Sequence, residues 1–196
     1  MKYSGVKKYI LKRLRNELSP HLYYHRLQHT LDILRSAVNI GKQEKIGRYE
    51  MQLLKTAALF HDAGFMVSKK EHEKQSCKLV RQTLPGFQFS ADEIKLICGM
   101  IMATQIPQTP KNRLEEILCD ADLDYLGSDE YGIISAQLFK ELNHQTPLSD
   151  WDWLNIQIRF LESHHYFTTT AINSRKQKKE KILNALKAIR NKKKPE

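Results

Sequence analysis

Imidazole and carboxylate side chains occur together in three short segments of this sequence. In YYHRLQHT, His25 and His29 stand four residues apart, and in AALFHDAGF an apolar run ends on the adjacent pair His61 and Asp62. Burying an imidazole and a carboxylate in apolar surroundings is unfavourable unless another group satisfies them. A divalent ion is such a partner, because imidazole and carboxylate ligands suit Mn, Fe, Co, Ni, Zn and Mg. The first two segments therefore predict a metal centre inside the fold.

The third segment, CDADLDYLG, offers three aspartates, and helical spacing separates them. Asp120 has acidic residues one turn away on either side, which predicts a polar face in contact with solvent. Asp122 has leucines one turn away on either side, so its carboxylate is expected to face inward and to need a partner from another element. Each segment alone has a simpler explanation, such as a hydrogen-bonded core histidine or solvated charges at a helix end. The combination of all three on different helices is more specific.

The elements that would hold these segments are helical throughout. Apolar residues recur three and four positions apart along most of the chain, and no stretch shows the alternation of a β-strand. Helices are expected to begin near positions 6, 25, 48, 71, 90, 111, 129, 149 and 170. His25 and His29 would then share a face of the second helix, and His61 would continue the buried stripe of the third. The sequence predicts a compact all-α domain of about nine helices over residues 1–174, followed by a basic C-terminal helix and tail over residues 175–196.

Most of the net positive charge lies at the C-terminus. The chain carries 32 basic and 22 acidic residues, and residues 175–196 contain ten of the basic and two of the acidic ones. The remaining 22 basic and 20 acidic residues leave the body of the chain close to neutral. An apolar stripe predicts a helical tail as far as Arg190, and the residues after it are expected to be disordered. Nucleic-acid binding through the tail stays open but is not favoured, because the body lacks a broad basic face.

Several other classes of protein do not fit the sequence. No apolar run approaches the roughly 20 residues of a membrane span, and the first residues lack the apolar centre of a secretory signal. Cys77, Cys98 and Cys119 are odd in number and form no C-x-x-C pair, which predicts reduced thiols and a cytoplasmic location. Neither a P-loop nor a dinucleotide-binding glycine pattern occurs. We therefore expect a cytoplasmic protein that does not contact membranes.

The order H…HD…D along a helical chain resembles the HD superfamily of metal-dependent phosphohydrolases. The segments YHRLQHT, LLKTAALFHDAGF, EHEKQSCKLV and ILCDADLDYLG are similar to successive motifs of its small, stand-alone bacterial members, and they lie within residues 24–127. The resemblance implies a helical domain and a divalent metal ion held by His29, His61, Asp62 and Asp122. Some branches of the superfamily bind two metals through further histidines on the next helix, where this chain reads ICGMIMATQ. One metal ion per site is therefore expected.

The same resemblance implies catalytic roles around the metal. Asp62 would link the metal to the attacking water and would orient or deprotonate that water. His72 and Glu73, in EHEKQS, match a segment that contributes near the metal or the substrate phosphate in many members. For His72 a simpler role stays open, since a histidine at the start of a helix can cap its own turn.

Three further residues are expected to contact the substrate. His25 stands one turn before the first metal ligand and is placed for contact with the substrate or with the ligands. Lys69 and Lys70 follow the HD pair in a predicted loop, where they would hold a phosphate as point charges or simply form an exposed polar loop.

The function expected from the sequence is hydrolysis of a phosphate ester by metal-activated water. The small phosphorylated substrate is expected to be a nucleotide or a related phosphomonoester or diester, by analogy with relatives. The alternative is a non-catalytic nucleic-acid-binding or regulatory module with a structural metal and a basic tail. Metal-dependent turnover would favour the enzyme, whereas salt-dependent binding to DNA or RNA without turnover would favour the module.

Overall fold

A computed structural model describes residues 1–192, and the structure in this range is helical. It contains nine α-helices and three short 3₁₀ turns, and no β-strand occurs among these residues. The helices are α1 (Tyr3–Glu17), α2 (Leu27–Gln43), α3 (Arg48–Phe60), α4 (His72–Thr83), α5 (Ala91–Ala103), α6 (Arg113–Asp122), α7 (Tyr131–Gln145), α8 (Asp150–Ser163) and α9 (Thr169–Lys192). The predicted all-α class is confirmed.

The third helix forms the centre of the main core. It packs against α1, α2, α5 and α6, and residues 56–60 at its C-terminal end are all buried. Side chains such as Leu53, Leu54 and Phe60 are almost completely inaccessible to solvent and pack with Ile101 and Leu118 from the neighbouring helices. Because the C-terminal end of α3 is fully buried, the residues that follow its last turn lie in the interior of the protein.

A 3₁₀ turn over Ala63–Met66 follows α3 and is held tightly against α4. The backbone N–H of Gly64 donates a hydrogen bond to the Ser76 hydroxyl oxygen at 2.7 Å, and that hydroxyl donates to the carbonyl of His61, also at 2.7 Å. A Cβ atom on Gly64 would collide with the backbone of His72. The absence of a side chain at Gly64 therefore allows α4 to approach the turn, and Ser76 fixes the two together.

The C-terminal helices build a smaller second core. Leu123, Leu126 and Leu161 are its buried members, and they join the end of α6 and the following 3₁₀ turn to α8 and α9. A Cβ atom on Gly127 would lie 2.7 Å from the Cβ of Arg175, so α9 also packs closely on this turn. The helix α9 runs through position 175 without a break, and the domain division expected there stays a prediction.

The end of the chain differs in part from the expectation. Disorder was expected directly after Arg190, but α9 continues through Asn191 to Lys192. The remaining residues of the expected tail, 193–196, lie outside the described residues.

Two further observations on the described part of the chain concern the state of the cysteines and the hydropathy of the helices. Cys77, Cys98 and Cys119 are free and buried. Within residues 1–192, no helix is both long enough and apolar enough to cross a bilayer. The cytoplasmic location stays a prediction.

Candidate metal centre

Four side chains from three regions of the chain converge on one point in the interior. The Nε2 atoms of His29 and His61 lie 3.4 Å apart, and Asp62 Oδ2 lies 3.2 Å from each of them. Asp122 Oδ1 lies 3.4 Å from His29 Nε2 and 3.5 Å from His61 Nε2. Donors that share one ion at about 2.1 Å are themselves about 3.0–3.4 Å apart in octahedral or tetrahedral geometry. The contacts between the histidines and the carboxylates thus have the spacing of ligands around a single ion.

Helix ends position these four donors. His29 is the third residue of α2, His61 and Asp62 follow directly after the last residue of α3, and Asp122 is the last residue of α6. His61 was expected inside the third helix, but that helix ends one residue earlier and His61 is its C-terminal cap. The burial of α3 explains why the HD pair lies in the interior although it occupies a turn.

The tautomer of His61 is fixed by its own helix. Its Nδ1 lies 2.9 Å from the carbonyl oxygen of Ala58, which accepts the Nδ1 proton. The lone pair of the neutral ring is then on Nε2, the nitrogen that faces His29, Asp62 and Asp122. A hydrogen bond of this kind orients a metal-ligating histidine and increases its basicity.

One buried oxygen at the centre lacks a hydrogen bond. Asp62 Oδ2 is inaccessible to solvent and accepts no hydrogen bond of acceptable geometry from any of the described residues, although it lies in ion-pair range of both imidazoles. Burial of such an atom without a partner is unfavourable. A cation between the carboxylate and the two imidazole nitrogens would satisfy it. The residues present therefore fit a divalent metal ion, and the ligand atoms of His29, His61 and Asp122 all lie within 4.8 Å of one another.

The charges at the centre stabilise one another. Burial alone would lower the pKa of His61, but the carboxylates of Asp62 and Asp122 outweigh burial and hold that pKa well above its ordinary value. Burial alone would raise the pKa of Asp62, yet the neighbouring imidazoles, that of His61 foremost, hold it well below its ordinary range. The same balance, with burial opposed by the two histidines, lowers the pKa of Asp122 to about 2. The buried carboxylates thus require positive charge beside them, which a metal ion supplies in place of protons.

His72 and Glu73 lie at the edge of this centre. His72 Nε2 is 3.3 Å from Asp62 Oδ1 and 3.4 Å from Glu73 Oε1. Burial acts to lower the pKa of His72, but the Asp62 carboxylate outweighs burial and raises it. Asp62 therefore presents one oxygen to the histidine pair and the other to His72. The capping contact that stayed open for His72 is long, since its Nδ1 lies 3.4 Å from the Lys69 carbonyl oxygen.

His25 reaches the centre by a different route from the one expected. It does not share a helical face with His29, because α2 begins only at Leu27, after the extended residue Arg26. Its ring nevertheless lies 5.9 Å from the His29 ring and stacks on Phe65 at 4.1 Å, measured between ring centroids. Tertiary contacts, not helical spacing, bring His25 to the site.

Glu141 holds His25 in place and was not identified from the sequence. This side chain of α7 is completely buried, and its Oε2 accepts hydrogen bonds from the backbone N–H groups of Tyr24 at 2.8 Å and His25 at 3.1 Å. Its Oε1 accepts the Nδ1 proton of His25. Helical spacing in the sequence could have indicated this buried position, because Glu141 stands three residues after Leu138 and seven after Ile134 on the inward face of the helix.

The prediction that Asp120 faces solvent is wrong. Asp120 is 0% exposed, and its carboxylate accepts hydrogen bonds from the backbone N–H of Phe167 at 2.9 Å and from the N–H and hydroxyl of Thr168, both at 2.7 Å. It fastens α6 to the segment that leads into α9. Asp120 therefore stabilises the packing of α6 on the segment before α9, while Asp122 faces the two histidines.

Lys69 and Lys70 lie in the exposed segment between the 3₁₀ turn and α4. In the part of the chain that the structure describes, neither residue lines the two cavities that adjoin the centre. Their contact with a substrate phosphate stays a prediction.

Two cavities meet at the centre. The larger, of about 660 Å³, reaches His29 and Asp122 and is lined largely by polar and charged side chains. The smaller, of about 280 Å³, reaches Asp62 and Asp122 and is also bordered by His25, His72 and Glu73. A small molecule in the smaller cavity would thus touch the predicted metal ligands and the predicted catalytic residues together.

Comparisons with known proteins give one match to a family and one to a solved fold. Residues 26–124 match the HD domain family. A protein of Clostridium beijerinckii, described as an uncharacterized protein, is 29% identical over 93 residues, which are 45% of this chain and 59% of that relative. The chain thus spans about three fifths of the length of this relative. A crystal structure of a Lactobacillus plantarum protein superimposes with a TM-score of 0.66 over 95% of both chains at 16% identity, a level that supports the fold alone.

Proposed function

The chain belongs to the HD domain family, and from this premise we propose that it is a metal-dependent phosphohydrolase that acts on a phosphate ester. The observation that carries the proposal is the unsatisfied, buried Asp62 oxygen between two imidazole nitrogens. A second carboxylate, from Asp122, completes the donor set, and a cavity adjoins it. The nucleotide expected from the resemblance is one member of this substrate class.

His29, His61, Asp62 and Asp122 would hold the ion. When bound, a divalent cation supplies Lewis acidity toward a phosphoryl oxygen and lowers the pKa of water from about 16 toward 7. Asp62 then acts as the general base, because one of its oxygens faces the ion site and the other faces His72. It accepts a proton from the attacking water, while His72, which Glu73 contacts, holds its carboxylate in position.

His25 is placed to act on the leaving group. Its Nδ1 is engaged by Glu141, so Nε2 is the nitrogen left for the substrate, and the ring borders the smaller cavity. As the new bond forms between the water oxygen and phosphorus, the bond to the ester oxygen breaks. His25 donates a proton to that leaving oxygen, and Glu141 orients the ring by accepting the Nδ1 proton.

Replacing Glu141 with glutamine should lower kcat about tenfold or more with little change in metal content. The amide oxygen still accepts the two backbone hydrogen bonds, but the carboxylate oxygen that accepts the Nδ1 proton of His25 is lost, so the ring is no longer oriented to donate from Nε2. Steady-state kinetics as a function of pH, with thermal melting, will measure the effect. Glu162→Gln removes an exposed carboxylate that pairs with Lys187 and serves as the matched control. If Glu141→Gln keeps the wild-type kcat and pH profile, the proton-donor role of His25 is incorrect.

The proposed function is tested by metal analysis followed by a phosphate-release screen. We expect about one divalent ion per chain, release of inorganic phosphate from at least one ester, loss of activity on chelation and its return on adding the ion. Release that continues unchanged without metal would contradict the mechanism. A protein that binds no divalent ion would contradict the assignment of the centre.

The basic C-terminal helix does not favour nucleic-acid binding as a second function. Arg175 pairs with Asp124, Lys178 pairs with Asp129, and Lys187 pairs with Glu162 at 2.7 Å. Part of the positive charge of α9 is therefore neutralised by the domain on which it packs.

A further inference from the structure

The smaller cavity beside the metal centre is apolar over most of its surface. One end is formed by the centre itself, through Asp62, Asp122 and His72. The walls come from the C-terminal half of the fold, and large apolar side chains of α7 and α8 dominate them. These are Leu138, Leu142, Trp153, Ile156, Phe160 and Leu161. An apolar chamber that ends on a cluster of metal-ligand type is shaped for a ligand with one charged end and one apolar end.

This cavity offers no place for a second phosphate. Among the residues that the structure describes, no lysine or arginine lines it, and its basic side chains are the imidazoles of His25 and His72 at the metal end. A buried phosphate without a cationic partner is strongly unfavourable. The substrate group that enters the chamber is therefore uncharged.

Three polar side chains in the walls are already engaged with each other. Gln157 Oε1 accepts hydrogen bonds from the Tyr131 hydroxyl at 2.9 Å and from the Ser135 hydroxyl at 2.6 Å. The Thr104 hydroxyl donates to the carbonyl of Ile101 at 2.8 Å, inside its own helix. A ribose or a nucleobase buried here would leave several of its hydroxyl or ring groups without partners, which weakens binding.

We propose that this cavity is the specificity pocket for the leaving group, and that the substrate is a monophosphate ester of an apolar alcohol with a single ring or a short chain. The volume of about 280 Å³ lies at the lower end of the range of small-molecule sites. The proposal rests on the proposed function, since it takes the metal end of the cavity as the place where the phosphate binds. It departs from the nucleotide that the family resemblance favours.

A set of esters with equivalent leaving groups tests the pocket. Benzyl phosphate, glycerol 1-phosphate and adenosine 5′-monophosphate are all phosphate esters of primary alcohols, so rate differences among them report mainly on recognition. With the metal-loaded protein we expect kcat/KM for benzyl phosphate to exceed that for the other two by about tenfold or more. Equal or greater kcat/KM for either polar ester would overturn the proposed preference for an apolar leaving group, while leaving the phosphohydrolase function intact.

Variants locate the preference in the cavity wall. Leu138→Asn should lower kcat/KM for benzyl phosphate about tenfold and leave glycerol 1-phosphate within about twofold. Leu96→Asn makes the same change at a half-exposed leucine of α5 that lies outside this cavity, and it should alter neither value. If thermal melting shows that Leu138→Asn does not fold, Ile156→Asn, in α8, replaces it. Parallel losses for both esters in a folded variant would contradict the proposal.

Direct binding separates failure of the pocket from failure of the proposed function. Calorimetric titration of the metal-loaded protein with benzylphosphonate and methylphosphonate compares two uncleavable ligands of equal charge. We expect benzylphosphonate to bind about tenfold more tightly, and Leu138→Asn to remove the difference. If no ester releases phosphate, the proposed function is wrong, and the titration still shows whether the cavity binds an apolar group. Equal affinities for the two phosphonates would overturn the proposed pocket.

Discussion

Replacing Asp122 with alanine should abolish stoichiometric metal binding and lower kcat/KM about a thousandfold or more, whereas the same change at Asp120 should do neither. Asp122 Oδ1 lies 3.4–3.5 Å from the Nε2 atoms of both histidines, so its loss removes one donor of the proposed ligand set. A loss of about 4 kcal/mol of transition-state stabilisation, which metal catalysis readily supplies, corresponds to this factor. Elemental analysis and steady-state kinetics on a substrate found in the phosphate-release screen will measure both effects.

The Asp120 variant provides a matched control on the same helix. Asp120→Ala leaves three buried donors of Phe167 and Thr168 without an acceptor, so we expect the free energy of unfolding to fall by about 3 kcal/mol. Its metal content should remain that of the wild type. Denaturant unfolding of the two variants separates stability from metal binding. Retention of metal by Asp122→Ala, or its loss from a folded Asp120→Ala, would show that the two roles have been assigned to the wrong residues.

Replacing Gly64 with alanine should lower the free energy of unfolding by about 3 kcal/mol or more. The new Cβ would collide with the carbonyl oxygen of His72 and would lie 2.7 Å from its carbonyl carbon and 2.9 Å from the backbone nitrogen of Ser76. These are backbone atoms of α4, so the whole helix must move. The shift would break the hydrogen bonds of Ser76 with Gly64 and His61, which lie in the turn after α3 (the HD turn). It would also carry His72 and Glu73 away from Asp62.

Gly132→Ala is the matched control for this substitution. Nothing lies within 4 Å of a Cβ atom at Gly132, which is the second residue of α7. Alanine is a better helix former than glycine, so this variant should be as stable as the wild type or up to about 1 kcal/mol more stable. Chemical denaturation with circular dichroism detection compares the two. If Gly64→Ala unfolds at the wild-type denaturant concentration, α4 and the HD turn do not pack as tightly as the structure indicates.

Local pattern was sufficient to predict the helices, because each buries an apolar stripe and several carry their own start signals. Ser90 and Ser149 form capping boxes with the acidic side chains three residues later. The inward position of Asp122 could also be read locally, since its neighbours one turn away are leucines. These features depend only on residues within a few turns of one another.

The features that the sequence did not reveal depend on distant parts of the chain. Asp120 is buried because its partners are Phe167 and Thr168, 47 and 48 residues later. His25 is held by Glu141, 116 residues away, and not by the helix that follows it. Local spacing predicted a solvated face for Asp120 and a shared helical face for His25, because spacing carries no information about partners that are distant in the sequence. The burial of Glu141 could have been predicted from the sequence, because a carboxylate on an apolar helical face indicates a buried polar contact.

Four helix ends meet at the metal centre, and their macrodipoles give it a polarity. The helices α3 and α6 end beside His61 and Asp122, so the partial negative charges of two C-termini add to the charge of the carboxylates. The helices α2 and α4 begin beside His29 and His72, so two positive N-termini also lie next to the centre. Before a cation is bound, the raised pKa values of His29 and His61 keep protons beside the two carboxylates, so the ion replaces protons when it binds. A phosphate that approaches the centre should therefore lie toward the starts of α2 and α4, where the helix N-termini carry partial positive charge.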